Sequence, residues 1–271
     1  MQISIVGCGW LGQPLAQQLY QCGHSIVATT RSEEKRFVFQ QQGFQGLIYH
    51  LGDACQSDSF SLLVQSSLLI VNLPPGGRQI QAASYIKNIC QLITQARLQG
   101  VSKLIFISTT AVYGELEGEL NERSCIAPVT ESAKAHKIIE QHVVAEFAQQ
   151  ACILRLAGLV GQDRHPAKYL AGRHDIALGS QHVNLVHQQD VIQAIESIIR
   201  NEAYGHIYHL CAHDHPSRRD YYHWACAKLA LPLPEFIEEL HPSTGKQINA
   251  SWTCQTLGIV LNYPSPYDML N

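Results

Sequence analysis

The chain has 271 residues, 46% of them hydrophobic and 15% charged, with 19 Lys and Arg against 22 Asp and Glu and a formal net charge of −3. That length predicts one large core carrying a smaller dependent lobe, and the near balance of charge argues against nucleic acid as a partner. Nine cysteines, odd in number and without a C-x-x-C, predict free thiols in a reducing cytoplasm; neither a basic-then-apolar leader nor a membrane-length apolar run is present, so no membrane association is expected.

Ile3, Ile5 and Val6 predict a short buried strand, and Gly7, Gly9 and Gly12 follow it with G-x-G-x-x-G spacing. The motif alone is a weak signal, but an apolar stripe at helical spacing follows it (Leu11, Leu15, Leu19, with Ala16 and Tyr20). Pro14 falls in the first turn, and Gly23 stands where a helix stops. Gly7 suits a tight turn, Gly9 removes the side chain where a pyrophosphate approaches the backbone, and Gly12 lets helix and strand lie close. The turn Gly7, Gly9, Trp10, Leu11 and Gly12 is therefore the candidate dinucleotide site, with helix N–H groups facing the phosphates.

Ser25 to Thr30 predicts a second strand and completes a β-α-β unit. Where an acidic residue would hold the ribose 2′-OH of NAD, the sequence has Thr29, Thr30, Arg31 and Ser32. A guanidinium suits a 2′-phosphate, so NADP is favoured over NAD, and the alternative is that Arg31 is a solvated helix-start residue. Further strands are predicted at Gln45 to Tyr49, Leu68 to Leu73, Lys103 to Ser108 and Cys152 to Leu156. Helices are predicted after Arg31, at Arg78 to Leu98 and at Thr130 to Gln150, and Pro74-Pro75-Gly76-Gly77 predicts a loop. Leu73 and Pro74, where the fourth strand ends, are assigned to the cofactor site.

This alternation predicts an α/β fold, a Rossmann-type doubly wound parallel sheet with a smaller C-terminal substrate lobe. Past Gly161 the rhythm breaks. Residues 162–183 are rich in Arg, His, Gly and Pro, then a strand at Val183 to His187 and a helix at Asp190 to Arg200 precede an irregular stretch. The dinucleotide-binding core is expected over 1–161 plus 184–205, and the substrate lobe over 162–183 plus 206–271.

Several stretches carry a family resemblance: the N-terminal glycine motif, Gly52-Asp53, STTAVYG at Ser108 to Gly114, LRLAGLVG at Leu154 to Gly161, NLVHQQDV at Asn184 to Val191 and GHIYHL at Gly205 to Leu210. Over nearly its whole length the chain resembles extended-type short-chain dehydrogenases/reductases of the NAD-dependent epimerase/dehydratase group. Within that group it looks most like the small, atypical bacterial YeeZ-type proteins, which share the compact glycine motif. The resemblance implies an NAD(P)-dependent oxidoreductase or epimerase that moves hydride through nicotinamide on a small polar substrate, sugar- or nucleotide-linked ones included. It also implies an adenine contact for Asp53 and the substrate-orienting Ser/Thr role for Thr109.

The family's general acid/base is a Tyr with a Lys four residues on, and the segment where they should stand reads PVTESAKAHKIIE, with no tyrosine. Aligning Lys137 with the family's Lys puts Ala133 at the tyrosine, whereas aligning on Glu140 pairs Ser132 with His136. The catalytic candidates are Thr109, Tyr113, His136 and Lys137. Tyr113 offers a phenol, although its place in the V-Y-G turn is usually structural, and His136 can exchange protons near neutral pH. Lys134 and Lys137 share a helix face that His136 leaves, and a solvated surface is the alternative for all three. Glu115, Glu117, Glu119 and Glu122 read as a substrate flap or a solvated acidic loop.

The histidines at 206, 209, 213, 215 and 223 lack metal-ligand spacing, and no metal is expected. Arg164, His165 and Arg173 are candidates to grip an anionic or sugar substrate, with plain solvation as the alternative. The enzyme reading is preferred. Its alternative is a non-catalytic NAD(P)-binding protein with a partner-binding or sensing role, because the tyrosine is missing. The expected partner is a small-molecule substrate, in a monomer or homodimer.

Overall fold

The computed structural model describes residues 1–55, 57–76 and 81–270. Its elements are β1 (Gln2–Val6), α1 (Gly12–Gln21), β2 (Ser25–Thr30), α2 (Glu33–Gln41), β3 (Gln45–Ile48), α3 (Asp58–Leu63), β4 (Leu68–Val71), α4 (Ala82–Leu98), β5 (Lys103–Thr109), β6 (Gly118–Leu120) and α5 (Glu131–Phe147). They continue with β7 (Ala151–Leu156), β8 (Gly158–Val160), α6 (Ala167–Leu170), β9 (Leu185–His187), α7 (Gln188–Arg200), β10 (His206–Leu210), α8 (Arg218–Lys228), β11 (Lys246–Ile248) and α9 (Ser251–Leu257).

Seven strands form the main sheet in the order β10-β7-β5-β4-β1-β2-β3. β1 is parallel to β2 on one side and to β4 on the other, with Ile5 opposite Ala28 and Ile70; β2–β3 and β4–β5 are parallel too. The strand order reverses between β1 and β4, and the crevice outside the carboxyl ends of such strands is where open α/β sheets take ligands. β4 is a continuous apolar run and β1 is buried from Ile3 to Val6, its one polar residue there, Ser4, donating to Leu63 O at 2.7 Å, as strands covered on both faces require. Four helices begin on hydroxyl caps: Ser32 for α2, Ser57 for α3, Thr130 for α5 and Ser217 for α8.

The chain divides into two compact units. The first, 1–112 with 128–154 and 198–207, is built on a core that includes Val71, Phe60, Ile89, Phe106 and Ile139. The second, 113–127 with 155–197 and 208–271, has its own core of Val160, Leu185, Tyr221, Tyr222 and Cys226. Residues 113–127, 155–161 and 184–197, read from the sequence as part of the core domain, fall in the second unit. The reason lies in pairing: β6 runs parallel to β11, and β8 to β9.

The predicted strand at Val183 to His187 is three residues long, and the stretch read as irregular after 200 holds β10, α8, β11 and α9. Strands of three residues, such as β9 and β11, escape any periodicity test. In the described residues α4 begins at Ala82; the predicted start at Arg78, like Gly77, lies outside them. Among the described residues no helix is long and apolar enough to cross a membrane.

One buried carboxylate secures the C-terminal stretch. Asp190, 1% exposed, accepts from the Asn262 N–H at 2.6 Å, from Asn262 Nδ2 at 3.0 Å and from the Tyr263 N–H at 3.3 Å, while Tyr263 lies on the His187 ring at 3.6 Å. Asp190→Ala would remove all three bonds; Asn262 is exposed and its donors can turn to water, so the expected cost is about 0.5–1.5 kcal/mol for each bond lost. The variant is expected to unfold at clearly lower urea with an unchanged m-value, as equilibrium denaturation would measure.

Candidate functional site

The glycine turn sits at the strand-order reversal and is too crowded for side chains at two of its three glycines. Gly7 has φ 98°, and a Cβ there would meet Asn72 O at 2.2 Å; a Cβ on Gly12 would meet Gly7 O at 2.4 Å. At Gly9 a Cβ would meet nothing within 4 Å, and the residue is exposed. The turn is held from β2 and β4: Gly7 N–H donates to Thr29 Oγ1 at 3.1 Å, and Asn72 Nδ2 donates to Gly7 O at 3.1 Å. Leu11 is buried at the start of α1 and caps it with no side-chain hydrogen bond; Trp10 is half-buried. Asn72 was silent in the sequence, where it is only the polar residue ending an apolar strand.

At the end of β2, Thr30 Oγ1 accepts from the Ser32 N–H at 3.2 Å, and Arg31 is exposed. Past β3, Asp53 is half-exposed and closes its own turn, Oδ2 accepting from the His50 N–H at 2.7 Å. Leu73 O accepts from the Tyr85 hydroxyl at 2.7 Å, and Pro74 is exposed.

β5 delivers Thr109 at its end, half-buried, with Oγ1 accepting from the Ala111 N–H at 3.1 Å. Behind it, buried Ser108 Oγ donates to buried Glu140 Oε1 at 2.5 Å, a pair the sequence did not suggest. His136 is 6% exposed beside Phe106 and Tyr85, its Nδ1 has no hydrogen-bond partner among the described residues, and burial holds its pKa below the usual imidazole value. The reading of a solvated face therefore fails for His136, which points inward with Ala133 and Glu140. Lys134 is exposed and paired with Glu131 at 2.8 Å; Lys137 is half-buried.

Tyr113 belongs to the second unit and is fully buried. Its hydroxyl donates to Asn121 O at 3.2 Å, receives Arg155 Nη1 at 2.7 Å and touches His209 Nε2. A phenol so enclosed holds its unit together, which corrects its place among the proton donors. The acidic run is likewise fastened: Glu117 accepts from Ser243, Glu119 from Asn249 at 3.0 Å and Glu122 from Thr253 at 2.6 Å, and Lys246 Nζ donates to Gly114 O at 2.6 Å. These contacts accompany the β6–β11 pairing, while Glu115, Glu117 and Glu119 remain exposed to solvent.

Of the three predicted substrate residues, Arg164 and Arg173 are exposed, and Arg164 lines a cavity of the second unit. His165 is 3% exposed. Its Nδ1 accepts from the Ala167 N–H at 3.1 Å, so Nε2 carries the proton towards the Tyr221 hydroxyl at 2.7 Å. It supports the unit's core instead of reaching a ligand. Among the described residues no three His, Cys, Asp or Glu side chains come together as a metal site, and all nine cysteines are free.

Residues 3–211 match the family described as NAD dependent epimerase/dehydratase. The chain belongs to that family. It is 33% identical over 270 residues to Protein YeeZ of Escherichia coli strain K12, covering 99% of this chain and 98% of that one. Its fold is similar to a functionally unknown conserved protein from Silicibacter pomeroyi, at TM-score 0.75 and 23% identity, covering 99% of this chain and 96% of the other. It is also similar to UDP-glucuronic acid 4-epimerase from Bacillus cereus in complex with NAD, at TM-score 0.80 and 18% identity, covering 100% and 96%.

Two measurements follow. Gly7→Ala should cost several kcal/mol, since it adds a left-handed alanine, about 1–3 kcal/mol by itself, to a clash with backbone; Gly9→Ala should cost less than about 1 kcal/mol. Calorimetric unfolding distinguishes them. The second concerns acid. Burial first, and then Lys168 for His165 and Arg155 for His209, lower both pKa values from 6.5 to about 4. The unfolded chain therefore binds more protons in that window. The stability these neutral histidines carry is complete above pH 6.5 and is lost as pH falls towards 4, on the order of 3 kcal/mol for each. The melting temperature should drop across that range, and His165→Gln, which keeps a donor for Tyr221, should flatten the drop.

Proposed function

We propose that the chain is an NADP-dependent oxidoreductase or epimerase acting on a small polar substrate that is sugar- or nucleotide-linked. The observation that carries this reading is the glycine turn at the sheet's reversal point, closed to side chains at Gly7 and Gly12 and open at Gly9. That open position, beside a helix start without a side-chain cap, fits a pyrophosphate whose oxygens take the first N–H groups of α1. When bound, nicotinamide supplies the reversible removal of hydride. Thr109 orients the substrate oxygen that gains or loses a proton. With Tyr113 and His136 buried, Lys137 is the remaining predicted group on α5 to hold or move that proton. Arg164 and Arg173 bind the substrate's anionic part.

The related Bacillus cereus structure, described as a UDP-glucuronic acid 4-epimerase with NAD, supports the substrate class. The preference for NADP rests on Arg31, an exposed cation directly after β2, and on Thr29 and Thr30 at the strand's end in place of a carboxylate; Glu33, in the next helix turn, is paired with Arg36. Charge-assisted hydrogen bonds contribute about 1.5–3 kcal/mol, and about 1.4 kcal/mol is tenfold in affinity. NADP should thus bind roughly ten- to a hundred-fold tighter than NAD, and Arg31→Ala should remove most of the difference. Calorimetric titration of both nucleotides against both proteins is the test. Equal affinities in the wild type reduce Arg31 to a solvated helix-start residue.

A second reading, a non-catalytic NADP-binding protein, draws on α5, where buried Ala133 stands at one of the two positions aligned with the family's tyrosine. Mixing the NADP complex with nucleotide sugars separates the two. A change in nicotinamide absorbance, or conversion of a nucleotide sugar into its epimer, supports the enzyme, and binding with neither across the class supports the binder.

A further inference from the structure

β1 and β2 run side by side as far as Ile5 and Ala28, where their ladder ends. Beyond that pair β1 turns away at Gly7, while Thr29 and Thr30 of β2 stay locked to Leu47 and Ile48 of β3. Gly7 has φ 98°, which glycine adopts without a side-chain penalty, and the same freedom lets the turn move. The turn therefore needs a fastening to the sheet if its later residues are to hold one direction.

Thr29 supplies that fastening with two groups. Its carbonyl accepts from the Cys8 N–H at 3.3 Å, and its Oγ1 accepts from the Gly7 N–H at 3.1 Å. The hydroxyl proton is committed to Ile5 O at 3.3 Å, so a lone pair of Oγ1 is left to face Gly7. Thr29 is 4% exposed, and both of its hydroxyl bonds stay within the turn and the strands beside it.

The amides of the turn are thereby shared out. Gly9 N–H goes to Gly7 O at 2.8 Å and Gln13 N–H to Gly9 O at 2.9 Å, which leaves Leu11 and Gly12 with N–H groups that meet no acceptor among the described residues. These two open α1 and are donors that a pyrophosphate would take. Where they point follows from where Gly7 is pinned. Thr29→Val keeps the shape of the side chain and removes the acceptor, so the half-buried Gly7 N–H is left unpaired. Turning the glycine towards another acceptor carries Leu11 and Gly12 with it.

We propose that Thr29 is a positioning residue for the dinucleotide turn: its hydroxyl, bonded to Gly7 and Ile5 and not to the cofactor, aims the Leu11 and Gly12 N–H groups at the pyrophosphate. The proposal rests on the reading of this turn as the cofactor site and gives β2 a second contribution to it besides Arg31. The two differ in kind. Arg31 distinguishes NADP from NAD, whereas the Thr29 bond serves both alike and is felt wherever a pyrophosphate is present.

Calorimetric titration of the full chain with ADP, NAD and NADP tests this, together with amide hydrogen exchange of the ligand-free protein read by NMR. Thr29→Val should weaken all three nucleotides by roughly three- to tenfold, as one lost hydrogen bond implies, with the ratio of NADP to NAD affinity unchanged. The Gly7 amide should exchange several-fold faster than in the wild type. Thr29→Ser keeps the acceptor and should bring both readouts back to within about twofold of the wild type. Ile26→Val trims a buried side chain in the same strand, so it controls for lost stability alone and should leave the three affinities as they are. The proposal is overturned by Thr29→Val binding ADP as the wild type does, by Thr29→Ser binding as weakly as Thr29→Val, or by Ile26→Val matching the loss. A wild type that binds none of the three nucleotides overturns the cofactor reading and this role together, whereas wild-type binding that Thr29→Val leaves untouched overturns the role alone.

Discussion

Everything in the first unit depends on how closely three backbones approach one another at the end of β1. Gly7 lies against the backbone of Asn72, and Gly12 lies against Gly7, so β1, the segment after β4 and the start of α1 meet with no room for a methyl group between them. Thr29 and Asn72 then hold the N–H and the carbonyl of Gly7 from either side. This contact places the helix start over the sheet's reversal point. It also separates two positions that the motif spells with one letter, because Gly7 and Gly12 are closed by packing while Gly9 faces open space.

That separation explains how much the sequence disclosed. The first unit was legible because its strands are largely apolar, its longer helices show a 3.6-residue period, and the glycine spacing fixes the turn; the six-residue α3 left no such trace. The second unit was far less legible. It is assembled from three-residue strands whose partners lie more than a hundred residues away in the case of β6 and β11, and no local pattern announces such a pairing. Ser108 and Glu140 are another example, since a buried polar pair between a strand and a helix leaves no periodic trace.

The candidate site divides along the same line. Residues whose role depends on backbone geometry, such as Gly7, Gly9 and Gly12, could be read from spacing. Residues whose role depends on where a side chain ends up could not: Tyr113 and His165 are chemically suitable, yet both are enclosed by hydrogen bonds that hold the second unit's interior. Arg218 lies in the stretch read from the sequence as irregular, and only the carbonyls it clamps and the cavity it lines distinguish it from a surface charge.

The interleaving of the two units has a consequence for synthesis. Each unit is drawn from three separated stretches of chain, with 113–127 of the second made long before 208–271. β6 emerges from the ribosome well ahead of β11, its partner, so Leu120, 6% exposed in the finished fold, waits uncovered while more than a hundred further residues are added. Closing so long a loop is slow, and neither unit can be separated from the other by a single cut in the chain. The acidic residues flanking Leu120 accordingly have a role before any substrate is met: their like charges discourage the unpaired strand from finding the wrong neighbour.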